Sequence, residues 1–141
     1  MKALRIGLPA AALAMICSCN SKPEPAQLSG KVTFKGQPVP AGYITFTPDV
    51  AAGTLGQNKV MQIKDGVYDS AKESEPGINP GTYQIRIAGF DGIKIPFFGQ
   101  GKQIFNPIQD QFKVPDGKTT KDFVVPDSAG ENVRIEKTAD T

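Results

Sequence analysis

From Leu28 onward, apolar and polar residues alternate with a period of two. In Leu28–Phe34, the residues Leu28, Gly30, Val32 and Phe34 share one side, and Ser29, Lys31 and Thr33 the other. Successive side chains of a strand point to opposite faces, so this pattern predicts a half-buried β-strand. A second run sets Ile44 and Phe46 against Tyr43, Thr45 and Thr47, and Pro48 ends it or places it at an edge. Met61 and Ile63, then Tyr68 and Ser70, alternate on two arms joined by Asp65-Gly66. That dipeptide tolerates the positive φ angles of a tight hairpin. Tyr83, Ile85 and Ile87, opposed by Gln84 and Arg86, form the clearest strand. Phe112 with Val114 and Phe123 with Val125 give two more, joined by a polar turn. No later segment carries a 3.6-residue apolar stripe. The pattern therefore predicts an all-β fold of about seven short strands, an antiparallel Greek-key β-sandwich, with a strand order that spacing does not fix.

The first residues follow different rules. Lys2 and Arg5 precede an uncharged apolar run from Ile6 to Ile16. A charged start and a short apolar run are the marks of a secretory signal peptide. The run is too short for a permanent span, which needs about 20 residues, and Pro9 interrupts a helix there. It ends in Ile16-Cys17-Ser18-Cys19, which holds both cysteines of the chain. This boundary resembles a bacterial lipobox, in which an apolar residue and two small ones precede the lipid-bearing cysteine. Cys17 departs from the usual Ala, Ser or Thr at its position. The resemblance implies cleavage after Ser18, acylation of Cys19 and a lipid-anchored protein of the cell envelope. Asn20 rather than Asp after the cysteine implies, again by resemblance, export to an outer membrane where one exists. A plain secreted protein with incidental cysteines is the alternative. A Cys17–Cys19 disulfide is disfavoured by ring strain, and zinc lacks ligands, since the chain has no histidine.

These boundaries divide the chain into a signal peptide (1–18), a lipidated cysteine with a proline-containing tether (19–27), a β-domain (28–126) and a polar C-terminal tail (127–141). In the tail Val133 and Ile135 alternate, so a short edge strand competes with a frayed end. The tether, with Pro23 and Pro25, reads as a short extended spacer. Loss of the leader changes the charge. The formal net charge of +2 falls to zero, because Lys2 and Arg5 are the only charges in residues 1–18. Arg86 and Arg134 are then the remaining arginines, and no basic cluster exists to neutralise phosphates, so no nucleic-acid partner is expected.

The stretch Gly30–Asp49, "GKVTFKGQPVPAGYITFTPD", resembles the opening of carboxypeptidase regulatory-like domains. "IKDGVYDS" is similar to their Asp-Gly-x-Tyr hairpin, and "INPGTYQIRI" to their Pro-Gly-x-Tyr strand. The three motifs keep the family order from Gly30 to Ile87. "NPIQDQFKVPDGKTTKDFVV" is similar to the last strands of small bacterial surface lipoproteins that carry such a domain. The resemblance implies a transthyretin-like (prealbumin-type) sandwich acting as a non-catalytic accessory module.

The chemistry on the chain agrees with that expectation. Without histidine there is no Ser-His-Asp triad, no Cys-His pair and no HExxH zinc motif. The hydrolases of purine breakdown with this fold rely on histidines and a Tyr-Arg-Gly-Ser ending; this chain ends Lys-Thr-Ala-Asp-Thr. Glu73 with Glu75, and Asp65 with Asp69, read as solvated loop acids rather than a glycosidase pair. Asp110, Asp116, Asp122 and Asp127 are too dispersed for a calcium loop. No catalytic residue, metal or cofactor is expected. One segment does not fit a solvated loop: residues 90–105 carry Phe90, Phe97, Phe98 and Phe105 among glycines. Either this loop caps the core, or it exposes an apolar patch whose contact centres on Phe97 and Phe98. The expected role is a membrane-anchored structural or interaction module, with an envelope protein or glycan as partner. A glycan- or peptide-binding module using the aromatic loop 90–105 is the alternative. Sequence does not set the oligomeric state.

Overall fold

The alternation of Leu28–Phe34 becomes a strand because its inward set is apolar: Leu28 and Val32 are fully buried, and Phe34 is half-buried against them. The computed structural model describes residues 24–97 and 99–133. Nine strands run among them: β1 (Gln27–Phe34), β2 (Gln37–Pro38), β3 (Ala41–Pro48), β4 (Lys59–Lys64), β5 (Val67–Asp69), β6 (Gly81–Phe90), β7 (Ile108–Val114), β8 (Lys118–Thr120) and β9 (Phe123–Val125). Three short 3-10 turns, at Val50–Ala52, Ser70–Lys72 and Asp127–Gly130, are the helical pieces of the described chain. The strands form one curled, mostly antiparallel sheet in the order β2-β1-β5-β4-β3-β6-β7. β8 and β9 lie outside that path and pair with β1 in parallel.

The inward sets read from the sequence meet in one core. Ile44 pairs with Met61 on one side and Ile87 on the other, and Phe46 pairs with Ile85. All five are buried, as are Ile63, Tyr68 and Tyr83. Ser70 is buried too, and its hydroxyl accepts the Leu28 N–H at 2.9 Å, so the polar inward residue is satisfied. Asp65 (φ 49°) and Gly66 (φ 76°) both take the left-handed conformation that the β4–β5 hairpin demands. Pro48 ends β3, a central strand rather than an edge.

Two short strands were not legible. β2 is two residues paired with the end of β1 across the Lys35-Gly36 turn. β8 lies within the stretch expected to be a polar turn. Packing also extends past both expected domain limits. Ala26 is buried and exchanges two backbone hydrogen bonds with Ile78, at 2.8 and 2.9 Å. After Pro126, Ala129 packs on the core and its carbonyl accepts the Asn106 N–H at 2.7 Å. The tail thus begins as a docked turn; Ile135 lies outside the described residues.

A single crossing joins the parallel strands to the rest. β1 pairs with β8 over Gln27–Ser29 and with β9 over Val32–Phe34, and the Lys121-Asp122 step passes over Gly30 in between. The Lys121 carbonyl lies where a side chain at position 30 would stand, so only glycine fits. Tyr68 donates its hydroxyl to that carbonyl at 2.5 Å, Lys121 N–H bonds Ser29 O at 2.9 Å, and Asp122 accepts the Lys31 N–H at 2.8 Å. The Lys121 ammonium stands over both Phe112 of β7 and Phe123 of β9, at 5.6 and 5.5 Å from the ring centroids. This cation draws the last strand of the main path toward the parallel pair.

β7 pairs only with β6 in the sheet path, and it carries its own protection. Asp110 stands opposite Ile85, placing a charge in the inward register, and its carboxylate accepts the Gln111 N–H at 2.8 Å. Asp110 is exposed, and a charge on an edge strand discourages edge-to-edge pairing.

Gly30→Ala is expected to destabilise the domain by about 2 kcal/mol or more, since backbone rather than a flexible side chain must yield; urea unfolding checks it. Tyr68 gives a second test. Burial, and secondarily the Asp122 carboxylate, push its phenol well above the ordinary value. The folded state therefore keeps it neutral, while the unfolded chain ionises near pH ~10. Its contribution is intact below ~10 and is lost as pH rises toward the folded value. Tyr68→Phe is expected to lower stability at neutral pH yet flatten the alkaline fall, measured by urea unfolding between about pH 9 and 12.

Candidate functional site

The loop between β6 and β7 exposes three large apolar side chains close together, one of them aromatic, whereas Val50, Leu55, Val60, Val67 and Val124 are exposed elsewhere. Its base is built by backbone. Asp91 N–H bonds Lys102 O at 2.9 Å, Gly92 N–H bonds Gln100 O at 3.0 Å, and Ile104 N–H bonds Gly89 O at 3.0 Å. The ladder of β6 thus continues two residues beyond the sheet. The Asp91 carboxylate closes it from the side: Oδ1 accepts from Ile93 N–H at 2.9 Å and from Lys102 N–H at 3.0 Å. Gly101 passes beside that oxygen with φ 89°, where any side chain would collide with the carboxylate. Asp91 is therefore spent on loop architecture.

Above this clamp the loop is apolar and bare. Ile93 is 62% exposed, Ile95 37% and Phe97 fully exposed. Phe97 also holds φ 72°, a conformation that a bulky side chain adopts at a cost of order 1–3 kcal/mol. An aromatic ring in water on a strained backbone is the reverse of what folding alone favours. Beside the loop an open groove of about 420 Å³ runs between Pro40, Lys64, Lys94 and Gln100, with charged walls.

The four phenylalanines of residues 90–105 divide. Phe105 is completely buried, with its ring 5.1 Å from Phe34, and caps the core. Phe90 is half-buried and lies against Tyr43 at 5.9 Å. Phe97 stays outside, and Phe98 falls outside the described residues, as does Cys19. The segment thus divides: Phe90 and Phe105 at its ends pack on the domain, and Phe97 is exposed. The Asp91-Gly92 dipeptide, a turn signal, marks the clamp that sequence reading passed over.

Two of the acids considered for catalysis hold backbone N–H groups. Glu73 accepts the Gln62 N–H at 2.8 Å on the flank of β4, and Asp69 accepts the Ala71 N–H at 3.0 Å. Asp65 takes the left-handed backbone conformation of the hairpin turn, and it is the backbone carbonyl of Glu75 that accepts from the Lys59 ammonium. Among the described residues no three acidic, cysteine or histidine side chains gather in a way that would hold a metal ion. Asp49 forms a polar knot at the other end of the sheet, with its Oδ2 accepting from Gln84 at 3.3 Å and Gln111 at 3.0 Å.

If the clamp sets the tip, Asp91→Ala is expected to speed amide exchange at Ile93 and Lys102 by about tenfold or more, while core amides of β3 and β6 stay protected. Hydrogen exchange read by NMR checks it. No protein-family model matches the chain, and no curated protein matches it either.

Proposed function

We propose that this chain is a non-catalytic, membrane-anchored lipoprotein whose domain serves as a structural or interaction module at the cell envelope. In this reading residues 1–18 are a cleaved signal peptide, Cys19 carries the lipid, and the domain is a Greek-key, transthyretin-like sandwich of the carboxypeptidase regulatory-like type. The single observation that carries the interaction role is the tip of the β6–β7 loop, where Ile93, Ile95 and Phe97 stand exposed on a backbone clamped by Asp91. Folding would bury them; a contact surface would keep them out. The curled antiparallel sheet is compatible with the sandwich, and the lipobox-like boundary supports the anchor.

Strand directions add an orientation. Ala26 meets Ile78 near the start of β6, whereas the loop leaves from Phe90 at its finish. β1 runs from the Ala26 end to Phe34, whose ring touches Phe105 at the loop end. Ala26, where the chain enters the sheet, and the apolar tip are thus at opposite ends of the domain. An anchor at Cys19 leaves the tip directed away from the point of attachment. The packing of Phe90 and Phe105 leaves Phe97 as the exposed ring among the described residues of the loop, and the chain has no tryptophan. A stacking platform for a glycan draws little support from that.

Two variants separate the halves of this reading. Cys19→Ala is expected to abolish metabolic lipid labelling and move the protein out of the membrane fraction; persistent labelling rejects the anchor. Phe97→Ala with Phe98→Ala is expected to weaken envelope association by about 2 kcal/mol or more with the melting temperature nearly unchanged. Unfolding of the double variant instead would assign the pair to the core.

A further inference from the structure

We infer that the tip of the β6–β7 loop is a lipid-inserting element, and that the lipid surface it enters lies on the far side of the domain from Ala26, where the chain enters the sheet. This deepens the interaction role proposed above and rests on it. Four features specify a bilayer rather than a protein groove or a glycan.

The first is composition. Between Gly92 and Lys102 the chain reads Gly-Ile-Lys-Ile-Pro-Phe-Phe-Gly-Gln-Gly-Lys, with two lysines and no acid. The nearest acid, Asp91, has Oδ1 committed to two backbone N–H groups at the base. An apolar wedge flanked by lysines matches a bilayer interface, where apolar side chains enter the acyl boundary and lysines reach anionic headgroups. The second is exposure. Ile93, Ile95 and Phe97 project from one loop rather than lining a concave surface, so they suit a fluid partner that closes around them. The third is backbone. The clamp satisfies the N–H groups of Ile93 and Lys102 within the protein, which lowers the polar cost of bringing the base toward lipid. Lys94 and Lys102 are exposed, and each carries a long stem able to lie along the apolar tip with its ammonium in the headgroup layer. The fourth is placement. The tip stands at the end opposite Ala26, about 26 Å away along β1 alone at the usual rise per residue. A protein attached through its N-terminus therefore presents this wedge outward.

The chain contains no tryptophan, so Phe97→Trp supplies a single fluorophore at the tip. The full chain carrying this substitution is mixed with vesicles of phosphatidylglycerol and phosphatidylcholine whose acyl chains bear bromine. Insertion is expected to shift the emission to the blue and quench it by about half or more, with partition several-fold weaker on pure phosphatidylcholine. Ile95→Asp in the same background is expected to abolish quenching without changing the melting temperature. Emission that stays unquenched and water-like overturns the inference. A blue shift without quenching, accompanied by concentration-dependent association in analytical ultracentrifugation, overturns it in favour of a second copy of the chain. Placement is read separately. Vesicles carrying the lipidated chain are expected to cluster protein-free anionic vesicles, seen as turbidity. Quenching confined to the vesicle that carries the chain overturns the far-side placement. Quenching in Cys19→Ala with no membrane attachment of the wild-type N-terminus leaves the tip standing and rejects the anchor alone.

Discussion

The crossing of Lys121-Asp122 over Gly30 governs how this sheet closes. β1 has neighbours on both sides: β5 over Ser29–Lys31 and β2 over Thr33–Phe34, and β8 over Gln27–Ser29 and β9 over Val32–Phe34. A strand cannot hold two parallel segments in register and bend between them unless the connecting residues pass close. Gly30 permits the approach by having no side chain, and three hydrogen bonds from Tyr68, Lys121 and Lys31 fix it. The same step delivers the Lys121 ammonium to Phe112 and Phe123, so the far strand of the path and the parallel pair share one cation. No described residue contributes a disulfide or a metal-holding cluster, so the curl rests on this contact and on the apolar core behind it.

The period-two pattern located the core because burial and alternation are the same physical fact in a half-exposed sheet. Ile44, Phe46, Met61, Ile63, Tyr68, Ile85 and Ile87 all face inward as the alternation requires. Ser70 did too, although a hydroxyl is a poor core residue, because the hairpin register left it no other side and Leu28 N–H gave it a donor. What escaped the sequence was set by distant partners. Lys118–Thr120 has no apolar alternation of its own; it becomes a strand because Gln27–Ser29 is there to pair with it. Gly30 looked like one more inward position of small size. Its meaning depends on a residue 91 positions later, which no local pattern carries.

The loop shows the same division. Its apolar content was visible, but periodicity could not tell a cap from a patch, since both are apolar. Phe105 and Phe97 differ in what surrounds them: one meets Phe34 and the space above Gly89, the other meets nothing. The Asp91 clamp decides between them. By continuing the β6 ladder to Gly92 and returning it through Gln100, it pulls Phe90 and Phe105 onto the domain and lifts the residues between them clear of it.

This arrangement has a consequence for how the domain tolerates an exposed apolar surface. A long flat edge or an open core would invite aggregation. Here the edge strand β7 carries an exposed charge at Asp110, and the exposed apolar residues of the β6–β7 loop lie in a short turn that carries Lys94 and Lys102, apart from the other exposed apolar side chains, Val50, Leu55, Val60, Val67 and Val124. The tip is also separated from the core by a hydrogen-bonded base, so truncating it removes no core contact among the described residues. Packing and exposure are thereby placed on different residues of one loop: Phe105 is buried in the core, Asp91 holds the base, and Phe97 stands in solvent. An exposed aromatic at positive φ is a cost that folding does not recover, which is why the tip, rather than the buried Phe105, is the part of the loop the proposed contact is built on.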